Sequence, residues 1–130
     1  MAYELSDSQV TLSIPAGADL SAKQYTFVKI SGTGVISCAA ATDVPIGVLL
    51  NDPASGETAA VAVSGVVKLV ASAAITAGAI IGTTSTGTAV TLVVSTDATK
   101  YIVGRAITAA GAGGDIITVA VDCASPARAA

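Results

Sequence analysis

One pattern of residues occurs twice in this chain, at 46–65 (IGVLLNDPASGETAAVAVSG) and at 103–122 (VGRAITAAGAGGDIITVAVD). Each copy begins with an aliphatic residue and a glycine, passes through turn-forming residues to a glycine and an acid, and ends on alternating valines. The matched pairs are Gly47 and Gly104, Gly56 and Gly114, Glu57 and Asp115, Val61 and Val119, and Val63 and Val121. The repeat predicts two copies of one β unit, although a chain this rich in Ala, Val, Gly and Thr can also produce similar hairpins by chance.

A second, shorter match extends the repeat towards the N-terminus. IPAGA at 14–18 resembles ITAGA at 75–79. We therefore predict a first β unit at 14–64, a connecting strand at 65–74 and a second β unit at 75–122. Residues 1–13 are interpreted as an extended N-terminal arm and 123–130 as a tail, so that 1–130 form a single domain.

Short runs rich in β-branched residues predict strands along the whole chain. The predicted strands are 10–14, 25–30, 35–38, 46–50, 58–64, 66–70, 89–94, 101–107 and 116–122. Glycine, Asn, Asp and Pro between them supply turns, and ASAAITAGA at 71–79 has the content for one helical turn at most. The prediction is an all-β protein, a small barrel or sandwich in which two units bury their apolar faces together.

The scarcity of charge bears on the partners of the chain. Charged residues make up 12% of it, against roughly 25% in typical globular domains. A surface of Thr, Ser, Ala and backbone favours association with other subunits; a compact β domain solvated by its hydroxyl groups is the alternative. The formal net charge is −3 with scattered cations, which argues against direct nucleic-acid binding.

Membrane insertion and export are not expected. The uncharged stretch at 69–96 is interrupted by three glycines and many hydroxyl residues, so it lacks the roughly 20 apolar residues of a spanning helix. The opening MAYELSDSQV has no basic or apolar signal region. Cys38 and Cys123 are therefore interpreted as free, packed thiols, with a disulfide between the two units as the alternative.

The residues that catalysis or metal binding would need are sparse. The chain contains no His, so a serine nucleophile lacks a His base, and the two separated cysteines, neither in a CxxC pair, have no His to complete a zinc site. NDPASGE at 51–57 contains enough oxygen ligands to consider calcium, but a plain turn is the better interpretation. We predict no enzymatic activity, no cofactor and no metal.

Three blocks of the sequence, taken in order, carry a resemblance to a known family. The order IPAGADLSAKQYTFVKI, then DVPIGVLLNDPASGETAAVAVSGVVKLVASAAITAGAIIG, then YIVGRAITAAGAGGDIITVAVD resembles the capsid decoration, or cement, proteins of tailed bacteriophages. The resemblance implies a virion protein, made in the host cytoplasm, that binds the outer head surface between major capsid subunits and stabilises the expanded capsid. It also implies a homo-oligomer, with a trimer favoured and a dimer possible.

Two further interpretations remain open. One is another virion β module, such as a head-fibre or tail accessory part, and the other is a carbohydrate-binding or adhesin-like β domain. The N-terminal arm alternates apolar and polar residues, which suits a strand added to a neighbouring chain. The candidate residues for contact with a capsid or another subunit are Tyr3, Glu4, Leu5, Tyr25 and Phe27.

Overall fold

A computed structural model describes residues 9–130 of the chain, and the regular structure within that range consists of strands. The strands are β1 (Val10–Pro15), β2 (Phe27–Ser31), β3 (Gly34–Ser37), β4 (Gly47–Leu49), β5 (Thr58–Val70), β6 (Ile80–Thr83), β7 (Ala89–Thr91), β8 (Tyr101–Ile102), β9 (Gly104–Ala106), β10 (Ile116–Asp122) and β11 (Ala127–Arg128). None of the described residues forms a helix of the length and apolarity that a membrane crossing requires. The all-β prediction is confirmed.

Nine of the strands form one curled antiparallel sheet. Its order is β3-β2-β4-β5-β10-β9-β6-β7, and β1 pairs separately with β5. The two remaining strands, β8 and β11, pair with each other. The sheet curls into a half-barrel, within the barrel or sandwich class that the sequence predicts.

The long strand β5 spans two predicted strands, 58–64 and 66–70, and the break that was expected between them. The pairing of β1 with β5 shifts register there, because Thr11 lies opposite Ala62 and Val10 lies opposite Ser64. Gly65 next to this shift has a φ of 125°, which glycine adopts without a steric penalty. A bulge of this kind bends a strand without ending it. Residues 58–70 therefore remain one strand, which pairs with β1 near the N-terminus and with β10 near the C-terminus.

The strand pairing of the first half (10–64) recurs in the second half (65–122). Gly47 lies beside Val28, as Gly104 lies beside Ile81. The corresponding strands are β2 and β6, β3 and β7, β4 and β9, and the start of β5 and β10. Two isolated parallel bridges also correspond, Ala16 with Val35 and Ala71 with Ala89.

The shorter sequence match does not follow this hydrogen-bond pattern. Ile14 lies in β1 opposite Ala59, whereas the N–H of Ile75 donates to the carbonyl of Ala110 at 3.0 Å. The N–H of Leu20 makes the corresponding bond to Pro53 at 2.9 Å. ITAGA therefore corresponds to a segment after IPAGA, and the predicted connecting strand is the counterpart of β1. Small residues in turns recur too readily to define the register.

Each half has its own apolar core. The core of the first half consists of Ala16, Leu20, Val28, Val35, Leu49, Ala59 and Val61. The counterparts of these residues belong to a second, larger cluster: Ala71, Ile75, Ile81, Ala89, Ala106, Ile117 and Val119. The larger cluster also contains residues that lie between the halves, among them Phe27, Val48, Ala62 and both cysteines. The two halves are thus joined by one continuous apolar contact.

Candidate interaction surface

Several large apolar side chains are exposed on the described part of the chain. They are Val10, Ile30, Val44, Val93, Val94, Ile107 and Ile116, from 39% to 61% exposed. Single exposed apolar residues are ordinary on soluble proteins. Here they accompany a low content of charged residues, 12%, so little of this surface is strongly hydrated. Such a surface is suited to contact with other protein.

A groove of about 330 Å³ lies on the second half beside the tail. Its lining residues are Ile102, Val103, Gly104, Arg105, Ala120, Val121, Asp122, Ser125 and Ala127. They come from β8, β9, β10, the segment after β10 and β11, so the groove forms where the tail turns back on the sheet. Most of the lining is apolar, and Arg105 and Asp122 supply one charge of each sign.

The aromatic candidates differ in their access to solvent. Phe27 is 0% exposed and packs between the halves, so the structure leaves it no surface for another chain, and its place among the contact residues is a correction. The sequence signal that made it a candidate, an aromatic side chain in a charge-poor chain, is explained by the core. Tyr3, Glu4 and Leu5 lie outside the described residues.

Tyr25 is half-buried at the junction of the two halves. Its φ of 63° lies in the left-handed region, and β2 accordingly begins two residues later than predicted. The Tyr25 N–H donates to the carbonyl of Leu49 at 2.7 Å, and its own carbonyl accepts from the N–H of Val70 at 2.9 Å. The Nζ of Lys68 lies 5.7 Å from the ring centroid, within the range of a cation–π contact. The backbone of Tyr25 is thus held by both halves, and its ring faces the ammonium group of Lys68.

Two pairs of corresponding carboxylates close turns by accepting backbone N–H groups. Glu57 accepts from Ala54 at 2.6 Å, and Asp115, its counterpart, accepts from Gly111 and Ala112 at 2.9 and 3.1 Å. Asp43 and Asp97 correspond in the same way, accepting from Ala39 at 2.8 Å and Val93 at 2.7 Å. These bonds satisfy the acids structurally, as Asx-type turns do.

The ionisation of these acids follows from the same contacts. A hydrogen bond from Lys29, with Nζ and Oδ2 2.9 Å apart, is the main reason that the pKa of Asp43 lies below its ordinary value. For Asp97 the N–H of Val93 is the largest cause of a lowered pKa, followed by Lys100. Over residues 9–130, no group of three or more His, Cys, Asp or Glu is placed to hold a metal ion.

The loop at 51–57 uses its polar atoms within the fold. The amide of Asn51 donates to the carbonyl of Thr58 at 3.0 Å and accepts from the N–H of Ala60 at 3.0 Å. The carboxylate of Glu57 is engaged by Ala54. The side chains considered for calcium therefore hold the turn between β4 and β5, which favours the turn interpretation.

Both cysteines are buried free thiols that lie between the two halves. Burial is the largest cause that raises the pKa of Cys38 to about 12 and the pKa of Cys123 to about 12. A thiol that stays protonated at neutral pH is a poor nucleophile. The cysteines thus serve as small apolar residues in the core.

The sequence patterns did not predict the groove. Its residues are separated along the chain and meet because β10 lies between β5 and β9 and because the tail returns to pair with β8. The one signal in the sequence is the alternation in IITVAVD, which places Ala120 on the face opposite Val119 and Val121. Ala120 is indeed exposed, whereas both valines are buried.

Comparisons with known proteins give the fold and the family. The N base of head fiber gp8.5 from bacteriophage phi29 has a similar structure, with a TM-score of 0.63 and 22% sequence identity over 88% of this chain and 95% of that chain. No curated protein has a matching sequence. The family model of the phage cement protein matches residues 5–123, nearly the whole chain. The chain therefore belongs to the phage cement protein family.

Proposed function

We propose that this protein binds the outer surface of a phage head between major capsid subunits and stabilises the expanded capsid. The observation that carries the proposal is the match of the cement family over residues 5–123. Exposed apolar side chains such as Val93, at 55%, and Val94, at 54%, support it. Covering such groups at a joint contributes about 25 cal/mol per Å² of apolar surface removed from water.

Part of the contact is assigned to residues 1–10 of the N-terminal arm. In this proposal Tyr3 and Leu5 are apolar anchors on a neighbouring subunit, and the backbone pairs as an added strand. Glu4 and the half-buried Tyr25 contribute polar contacts at the rim. Val10 begins β1 and is 61% exposed, so the start of β1 lies at the surface of the molecule.

Binding to heads that lack this protein tests the proposal. Wild-type protein is mixed with expanded heads and with precursor heads, and bound protein is measured by co-sedimentation. We expect saturable binding to expanded heads alone, together with a higher temperature of DNA release. Binding that does not distinguish the two kinds of head, or that leaves the release temperature unchanged, would contradict the proposal.

Deletion of residues 2–8 tests the role of the arm. The truncated protein is expected to keep its β circular-dichroism spectrum and melting temperature but to bind heads about ten-fold more weakly or worse, a loss of roughly 1.4 kcal/mol. A second variant replaces Tyr3 and Leu5 by serine in the full chain, which removes the proposed anchors but keeps the backbone of the arm. If both variants bind as tightly as wild type, attachment runs through the folded domain instead.

A head-fibre base is the second candidate function, and the fold supports it. The similar structure is the N base of a head fiber, and the alignment covers 95% of that chain. A base for a projecting fibre has to attach to the head but has no need to brace it. The stability assay above separates the candidates, since a fibre base would bind heads without raising the temperature of DNA release.

A further inference from the structure

The two halves of the chain meet through the hairpin between β6 and β7. The N–H of Phe27 donates to the carbonyl of Gly87 at 2.7 Å, and a Cβ placed on Gly87 would lie 3.2 Å from Ser37 Oγ. Thr83, where the hairpin begins, is 2% exposed; its hydroxyl donates to the carbonyl of Thr84 at 2.9 Å and lies beside the thiol of Cys38. The tip of this second-half hairpin therefore lies against the start of β2 and the end of β3.

The face covered in the first half is open in the second half. Strand register defines the counterparts, because Phe27 pairs with Val48 as Ile80 pairs with Arg105. The covered residues are Phe27, Val48 and Ala62, each 0% exposed. Their counterparts are Ile80, which is half-buried, and Arg105 and Ala120, which are exposed. The second half thus presents a face whose counterpart in the first half is buried in the core cluster shared with the second half.

The covering element also has a free counterpart, the hairpin between β2 and β3. Ile30 pairs with Val35 in this hairpin, as Thr83 pairs with Ala89 in the other, so Ile30 corresponds to Thr83. Ile30 is 49% exposed, whereas Thr83 is 2% exposed. The first half therefore exposes an apolar residue at the position that is buried when the other hairpin docks.

We propose that two copies of this chain associate head to tail, with the β2–β3 hairpin of one copy on the outer side of β6 and β7 of the next. Thr33 would take the place of Gly87, and Thr91 the place of Ser37. The proposed contact has the same form as the contact inside the chain between the β6–β7 hairpin and strands β2 and β3. A second copy carries the matching hairpin, which favours a second copy over a capsid subunit as the partner at this surface. The hairpin turn at 31–34 carries no charge, so it does not repel Arg105.

A contact of this kind joins two different surfaces and is therefore heterologous. Repetition of a heterologous contact closes into a ring or continues as a filament. A ring would supply the homo-oligomer expected of a capsid-bound protein, and in that respect the inference rests on the proposed function. The contact itself requires only the isolated protein, so the two proposals can fail separately.

Two single-cysteine variants test the contact directly. Thr33→Cys and Thr91→Cys proteins are oxidised with oxidised glutathione, alone and as a mixture, and run on a non-reducing gel. We expect a covalent dimer in the mixture, and much less with either variant alone, because each variant carries only one side of the contact. Wild-type protein is the control, with Cys38 and Cys123 buried. No dimer in the mixture, or dimer formed equally by one variant alone, would overturn the proposal.

A charge placed in the contact provides a second test. Ile30→Lys should weaken self-association by about ten-fold or more in sedimentation equilibrium, equivalent to roughly 1.4 kcal/mol. Ile116→Lys is the matched control, since Ile116 is 44% exposed and lies at the far end of β10 from Ala120. Equal association by both variants would refute the assignment. If the Thr33→Cys and Thr91→Cys proteins cross-link but the protein does not bind heads, the contact between copies is supported and the proposed function is refuted.

Discussion

Replacement of Gly47 by alanine tests the register on which the two halves are compared. Gly47 lies where β4 meets β5, and a Cβ there would be 2.4 Å from the carbonyl oxygen of Ala62 and 2.5 Å from a methyl group of Val61. Gly104 occupies the corresponding place, and its Cβ would be 2.5 Å from the carbonyl oxygen of Ala120. Since the nearest atom in both places is backbone, a rotamer change cannot relieve the overlap, and the strands must move apart.

Overpacking of this kind costs about 1–3 kcal/mol. Gly47→Ala should lie near the upper end, because its Cβ meets both a carbonyl oxygen and a side chain closer than 3 Å. Gly104→Ala should cost less, because the nearest side-chain atoms stay 3.1 Å away. At about 3–5 °C per kcal/mol for a domain of this size, Gly47→Ala is expected to lower the melting temperature by roughly 6–15 °C.

Thermal unfolding followed by circular dichroism measures these differences. Gly111→Ala is the control, because a Cβ at Gly111 meets only the Asp115 carboxylate at 3.5 Å, and it should lie within about 0.5 kcal/mol of wild type. If Gly47→Ala melts together with the control, the strands do not approach as described, and the correspondence of Gly47 with Gly104 loses its physical basis.

Three further outcomes follow from the core and the titratable groups. Val61→Ala and Val119→Ala, at corresponding fully buried positions, should each cost about 2 kcal/mol in denaturant unfolding; a loss at only one of them would contradict equivalent cores. The pKa of Asp43 is lowered in the folded protein, so its contribution to folding stability is present above the unfolded pKa and is lost as pH falls through the folded pKa. The melting temperature should therefore drop below about pH 4, and less steeply in Asp43→Asn. The same dependence of melting temperature on pH in wild type and Asp43→Asn would refute this. Cys38 and Cys123, buried with pKa values raised to about 12, should react with iodoacetamide at pH 8 only after unfolding, and rapid native labelling would contradict their burial.

The fold could be predicted from the sequence where local pattern and tertiary environment agree. The alternation of IITVAVD gives β10 (Ile116–Asp122) with the predicted bounds, and the repeated Gly47 and Gly104 occupy corresponding ladder positions. The prediction missed β6 (Ile80–Thr83), because IIGT is short and contains a glycine. Pairing with β7 and β9 makes it a strand, and such long-range pairing leaves little local signal.

The interaction surface was less accessible to sequence reasoning. Phe27 is an aromatic residue of the kind that anchors interfaces, yet its side chain is fully buried in the core cluster that joins the two halves. Ile80 and Ala120 show no distinctive motif, and their exposure becomes informative only beside the burial of Phe27 and Ala62. A face that is covered in one half and open in the other is a property of how the halves pack, which residue spacing does not record.

Electron cryomicroscopy of expanded heads reconstituted with the purified protein is the most direct test of the central claim. We expect added density on the outer surface at the joints between major capsid subunits, into which the curled sheet of residues 9–130 fits. Density confined to the base of a projecting fibre, away from those joints, would contradict it, as would heads that acquire no density at saturating protein.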